Sequence, residues 1–243
     1  MTTPTAAVEL PEPSRLYVIG DIHGCLQLLD AVIERIRRDL AVRPAGDCLT
    51  VSVGDYIDRG PDSRGVLDRL ASNPFPTDYI ALKGNHEIFL EQFLADPSVM
   101  EVWRYNGALE TLHSYGIDVS APMRGRGYRE AADALRAALP DAHRCFLAAL
   151  PLCLSVGRYF VCHAGVRPGV PLSRQSADDL VWIREEFLRS VSGFGKIVVH
   201  GHTPAPEPEV RPNRINVDTG AFMTGRLTCA ALERGRTRFL PAT

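Results

Sequence analysis

Short apolar runs recur along the first third of the chain, each meeting a glycine: residues 16–19 end at Gly20, 49–53 at Gly54, and 79–82 stop just before Gly84. Runs of this length bounded by turn residues predict buried strands. Between them the spacing changes. From Leu29, the positions Val32, Ile33, Ile36 and Leu40 recur at helical intervals with charges between them, which predicts an amphipathic helix. Further helices are expected over 63–71 and about 87–94. Strand, loop and helix in alternation predict α/β layering with largely parallel strands, and ligands in such sheets gather beyond the strands' C-terminal ends.

The middle, about 98–150, reads as a mostly helical insertion or cap, broken at Pro122 and by the segment Arg124, Gly125, Arg126, Gly127. Beyond it, the runs 152–156 and 159–162 flank Gly157 and Arg158, predicting a hairpin. Late runs at 197–199, 215–217, 227–232 and 237–240 suggest a second sheet. The organisation expected is an N-terminal tail over 1–13 followed by a single domain over 14–243.

The chemistry lies in the loops. GDIHG (Gly20–Gly24), GDYIDRG (Gly54–Gly60) and GNHE (Gly84–Glu87) each follow a predicted strand and offer carboxylate, amide or imidazole ligands. Alternate residues of an extended segment point the same way, so Asp21 and His23 can grip one ion together. His163 and His202 follow two later strands and complete a candidate metal cage with Asp55 and Asn85. Mixed oxygen and nitrogen ligation suits manganese, iron or zinc better than calcium. HGH at 200–202 offers a second imidazole, His200, at a spacing that leaves both facing one metal as an option. His113 and His143 read as structural or surface histidines, and Glu87 as a support for its helix.

Composition narrows the partners. With 27 Lys plus Arg against 29 Asp plus Glu, a formal net charge of −2 gives no footprint of a nucleic-acid or membrane binder. No stretch approaches the roughly 18 apolar residues of a membrane span, and the first residues carry no leader pattern, so a cytoplasmic location is the expectation. The six cysteines are expected to be reduced core residues. A cysteine-based phosphatase loop is excluded by counting, because only four residues separate Cys162 from Arg167 where five are needed. No Walker loop is present.

Taken together, GDIHG, GDYIDRG, GNHE, HAG and GHT resemble the metallophosphoesterases of the serine/threonine phosphoprotein phosphatase family, most of all the bacterial and bacteriophage lambda-type branch. The likeness runs from Arg15 to the VDTG segment ending at Gly220, nearly the whole chain. It implies a calcineurin-like αββα fold, two facing mixed β-sheets flanked by helices. It also implies two divalent metal ions, manganese foremost with iron or zinc as options. Asp21, His23 and Asp55 would bind the first; Asp55, Asn85, His163 and His202 the second, with His202 preferred over His200. Metals about 3.5 to 4 Å apart allow a shared water to lose a proton near neutral pH and attack phosphorus in line.

The same resemblance makes His86 the general acid, with Asp58 fixing its tautomer. Arg59 and Arg184 would clamp the phosphate, alongside Asn85; Arg184 matches through VWIRE (Val181–Glu185) and is expected on a helix. Asn106 and Gly107 match a segment of the branch without an evident role. The implied reaction is hydrolysis of phosphomonoesters, foremost phosphoserine and phosphothreonine in proteins, with phosphotyrosine as an extension. The alternatives are a symmetrical diadenosine tetraphosphate hydrolase and a non-catalytic phosphate-binding module.

Overall fold

The computed structural model describes residues 8–241. Two sheets face one another. The five-stranded sheet is built from β2 (Arg15–Ile19), β3 (Cys48–Ser52), β4 (Asp78–Ala81), β10 (Cys229–Glu233) and β11 (Arg236–Phe239), in the order β11-β10-β2-β3-β4. The six-stranded sheet holds β1 (Val8–Leu10), β5 (Cys153–Val156), β6 (Tyr159–Cys162), β7 (Ile197–His200), β8 (Glu209–Val210) and β9 (Arg214–Asn216), in the order β1-β5-β6-β7-β9-β8. These are the two mixed sheets expected. The assignment of the late strands needs correction: β7 and β9 continue the hairpin's sheet, whereas β10 pairs antiparallel with β2 and joins the first. Within the segment expected as a tail, β1 pairs in parallel with β5 as an edge strand; residues 1–7 and 242–243 lie outside the described residues.

Pleating sorts the side chains into layers. Leu16 and Val18 of β2 point between the sheets, where they meet Val51, Leu154, Val161, Val199 and Ile215. Tyr17 and Ile19 of the same strand point the other way, against helices. That outer layer holds α1 (Leu26–Val42), α2 (Ser63–Leu70) and α3 (Asn85–Ala95). It continues with α4 (Met100–Trp103), α5 (Ala108–Ser114), α6 (Ser120–Met123), α7 (Tyr128–Ala138) and α8 (Asp141–Ala149). The far face of the six-stranded sheet is covered by α9 (Ala177–Trp182) and α10 (Glu185–Leu188), through Leu180, Val181 and Phe187. A last short helix, α11 (Ala221–Thr224), lies between the left-handed glycines Gly220 and Gly225. Among the described residues no helix is long and apolar enough to cross a membrane.

The helical middle packs beside α2 and α3 in the outer layer. It reaches the loops through individual residues: Trp103 and Thr111 bond Asp58, and the Gly107 carbonyl accepts the backbone N–H of Arg59. A Cβ at Gly107 would collide with the Arg59 backbone, and its φ of 99° is left-handed, which explains a glycine there. Three cysteines (Cys153, Cys162, Cys229) are buried as expected, Cys25 and Cys48 are half-buried, and Cys145 is exposed; all are free thiols.

Direction is what creates the site. β2, β3 and β4 are mutually parallel, and so are β6, β7 and β9. The loops that follow them bring the polar motifs of both sheets to one edge, as the contacts of Asp55 with His163 and of Asp21 with His202 show.

Candidate metal centre

Asp55 is the meeting point. Its Oδ2 lies 3.3 Å from His163 Nε2, 3.5 Å from His23 Nε2 and 3.8 Å from His86 Nε2. Its Oδ1 accepts the backbone N–H of His86. His163 Nε2 is also 2.9 Å from Asn85 Oδ1 and 3.1 Å from His202 Nδ1. Asp21 joins through its Oδ2, which accepts the His202 backbone N–H at 3.0 Å. All six ligands expected from the sequence are therefore drawn together, and all are buried. Two overlapping groups, His23–Asp55–His86 and Asp55–His163–His202, each have the spacing to hold an ion.

The donor set fits a cation. His23 and His163 each donate Nδ1–H to a backbone carbonyl, of Ile57 and Val53. In the neutral ring that leaves Nε2 as a lone pair aimed inward. Among the described residues, Asp21 Oδ1 and His202 Nε2 are buried with no hydrogen-bond partner, a costly state that a metal ion would relieve. Charge responds accordingly. Burial pulls the His163 pKa down, but the Asp55 carboxylate prevails and raises it to about 9. Burial pushes Asp55 up, yet His163 and His86 hold it well below the ordinary carboxylate range. His23 and His202 are driven by burial to about 3 and about 2, which keeps both rings neutral. Asp21 is raised, by burial and then by the neighbouring Asp218.

His86 differs from the other imidazoles. Its Nδ1–H donates to Asp58 Oδ2 at 2.6 Å, and although burial opposes it, Asp55 and Asp58 raise its pKa. Asp58 is held in turn by Trp103 Nε1–H and Thr111 Oγ1–H, both at 2.5 Å. Arg59 Nη1 stands 3.0 Å from His23 Nε2, and its guanidinium lies over the Phe222 ring. Arg184 Nη1 donates to the His202 carbonyl at 3.3 Å and to Thr203 Oγ1 at 3.2 Å. The helix expected at Arg184 needs correction: it caps the break between α9 and α10, outside either helix.

Strain concentrates here. His23, Asp55, Asp58, Arg59 and His202 all have positive φ, between 44° and 73°, at a cost of order 1–3 kcal/mol each. Hydrogen bonds hold the loops in place: Glu87, fully buried, accepts the backbone N–H groups of Asp55, Tyr56 and Gly84. At Gly201 a Cβ would run into Asp21, so the His202 loop can approach only as glycine.

His200 turns away, with Nδ1–H on the Gly201 carbonyl and its ring edge-on to Phe187. His143 is tied to Tyr115 and Asp68, remote from the cluster, as expected. Arg167 pairs with Asp179 and buried Cys162 bonds the Gly165 carbonyl, so no thiol phosphatase loop forms. Four residues went unassigned from sequence. Trp103 and Thr111 are distant in the chain and carry no motif; Phe222 lies beyond the recognised segments. Asp218 was legible, as the acid of VDTG. It is buried, and burial together with the charge of Asp55 raises its pKa to about 6 despite the Gly220 N–H it accepts.

Comparison with known proteins finds relatives along nearly the whole chain. The family model for calcineurin-like phosphoesterases matches residues 14–221. The chain is 30% identical to serine/threonine-protein phosphatase 1 of Salmonella typhimurium, over 93% of this chain and 95% of that one. It is 25% identical to the bis(5'-nucleosyl)-tetraphosphatase PrpE [asymmetrical] of Anoxybacillus flavithermus, over 93% and 94%. Among solved structures, one provisionally assigned as a diadenosine tetraphosphatase aligns with a TM-score of 0.64 at 22% identity, covering 98% of this chain and 99% of the other. A cold-active protein tyrosine phosphatase aligns at 0.62 and 15% identity, over 97% and 78%.

Proposed function

Because the chain belongs to the calcineurin-like phosphoesterase family, we propose that it is a metal-dependent phosphomonoester hydrolase acting on phosphoserine and phosphothreonine in proteins. The observation that carries this reading is the convergence of three imidazoles on Asp55 Oδ2, one of them backed by the buried carboxylate of Asp58. Asp21, His23 and Asp55 would hold one divalent ion, and Asp55, Asn85, His163 and His202 the other. Bound there, two such ions, manganese foremost, supply Lewis acidity that lowers the pKa of a water and neutralises charge growing on the phosphoryl oxygens.

The chain's own groups do the rest. Arg59, beside His23, and Arg184, beside His202, would present guanidinium forks to phosphate oxygens together with the Asn85 amide. His86 gives its Nε2 proton to the departing serine or threonine oxygen as the phosphorus–oxygen bond breaks. Asp58 keeps Nδ1 protonated and steadies the positive ring beforehand. This dyad also separates an enzyme from a phosphate-binding module, which needs no acid for a leaving group.

A second substrate reading, cleavage of dinucleoside tetraphosphates, is favoured by the likeness to the PrpE protein. The nucleotide-cleaving relative is named for the asymmetrical reaction, whereas the sequence motifs suggested the symmetrical one. The manganese-loaded protein, given a phosphoserine peptide and diadenosine tetraphosphate in parallel, is expected to show the higher kcat/KM on the peptide. Preference for the dinucleotide overturns the substrate assignment, and no metal-dependent turnover of either overturns the phosphoesterase reading.

A further inference from the structure

A cleft of ≈ 770 Å³ that shares no residue with the metal centre opens in the corner between the end of α1 and the β10–β11 hairpin. Arginines make its walls. Arg43 caps α1, Arg234 sits in the hairpin turn, and Arg236 and Arg238, two apart on β11, share one face. Arg15 stands behind them, buried. Two carboxylates answer these five guanidiniums, and both are taken. Asp39 is shared by Arg15 at 3.1 Å, Arg238 at 2.8 Å and Arg43 at 3.7 Å, while Glu233 accepts from Arg15 at 2.9 Å. Among the described residues, Arg234 and Arg236 have no ion-pair partner, and both are exposed.

The turn adds a second sign. Two residues, Arg234 and Gly235, join β10 to β11, with φ of 49° and 76°. Asparagine followed by glycine is the favoured pair for such a turn, so an arginine there strains the backbone for a side chain that bonds no described residue. The wall behind it is fixed in advance, since Asp39 holds Arg238 and Arg43, and Arg15 donates to the Arg43 carbonyl at 2.7 Å. Guanidiniums gathered in this way repel one another until a multiply charged anion enters, and their forks match phosphate oxygens in pairs. The volume falls in the roughly 300–1,000 Å³ range of small-molecule sites. A net charge of −2 gives the chain no field that would draw in a long nucleic acid instead. We propose that this corner binds a short oligophosphate anion, gripped by Arg43, Arg234 and Arg236, with Arg238 positioned by Asp39. The proposal is independent of the phosphoesterase reading.

The test is calorimetric titration of inorganic tripolyphosphate into the full chain in metal-free buffer, with Asp55→Asn silencing the metal centre, before and after Arg234→Asn and Arg236→Gln are added together. Both arginines are exposed and asparagine suits the turn, so the added pair leaves the fold intact. One tripolyphosphate per chain is expected, bound about tenfold or more tightly than inorganic phosphate. Loss of two charged donors should weaken it by about tenfold or more. Melting gives a second readout: tripolyphosphate should raise the melting temperature of the Asp55→Asn protein and leave that of the protein with all three substitutions unchanged. No binding, binding that survives Arg234→Asn with Arg236→Gln, or equal affinity for tripolyphosphate and inorganic phosphate each overturn the site.

Discussion

The half of the cluster carried by the five-stranded sheet is braced from behind, whereas the half carried by the six-stranded sheet leans largely on the first. Asp58 is gripped by Trp103 and Thr111, the Asp55 loop by Glu87, and the Arg59 backbone by Gly107. By contrast, His163 is oriented by the Val53 carbonyl and His202 by the Asp21 carboxylate, both on the opposite sheet. Among the described residues, the His202 carbonyl and Thr203 accept from Arg184, whose side chain is exposed. Damage to the first half should therefore spread across the site, while damage to the second should stay local.

Apart from the shared Asp55, the largest effect is expected at the braced acid. His86→Asn should lower kcat by roughly a hundredfold or more, the usual share of a positioned proton donor, while leaving the metal content of the protein unchanged. Steady-state rates with metal analysis check this, and a wild-type rate removes the assigned role. Trp103→Phe keeps the ring and deletes one donor to a fully buried carboxylate. It should cost about 1.5–3 kcal/mol of stability and lower kcat roughly tenfold by loosening His86. Denaturant melts and rates read both, and a stability loss with kcat intact would show that the brace does not reach the acid.

Arg184→Ala on the weaker half should lower kcat/KM by about tenfold or less, with no change in melting temperature. Loss of stability or of bound metal in that variant would contradict the claim that this half adds no brace of its own.

Away from the cluster the expected effect is on stability, and the effect on rate is smallest. Asp39 receives Arg15, Tyr17 and Arg238, which hold its carboxyl below the ordinary range although burial opposes them. A lowered folded-state pKa gives stability that is present above the ordinary carboxylate range and lost as pH falls through the folded value. Asp39→Asn should thus cost about 2 kcal/mol near neutral pH. The gap to wild type should close as the solution is acidified, in urea melts at a series of pH values. A gap that stays constant with pH would show that this carboxylate is not ionised in the pair.

The same asymmetry decides what the sequence discloses. The first half was legible because its ligands sit in compact motifs directly after apolar runs, where a short loop fixes several groups at once: Asp21 with His23, Asp55 with Asp58 and Arg59, Asn85 with His86. The second half offers no such cluster of groups: His163 stands alone, and of the two imidazoles of HGH the resemblance already prefers His202, which meets His163 while His200 packs against Phe187. Trp103 and Thr111 were illegible because they act through tertiary contact across 45 and 53 positions of chain. The layering of strands and helices followed from periodicity. The sheet membership of β10 did not, since antiparallel return to β2 is a choice of pairing that no local pattern encodes.

Both halves share one group, the Asp55 carboxylate, which meets His23 on one side and His163 on the other. The direct measurement is metal content together with phosphate release for wild type and Asp55→Asn after manganese loading and removal of free metal. Wild type should retain two divalent ions per chain and lose activity to a chelator, recovering when metal is returned. Asp55→Asn should hold less than one ion and show background release. An Asp55→Asn protein that keeps two ions and the wild-type rate contradicts the shared carboxylate, and with it the two-metal centre proposed above.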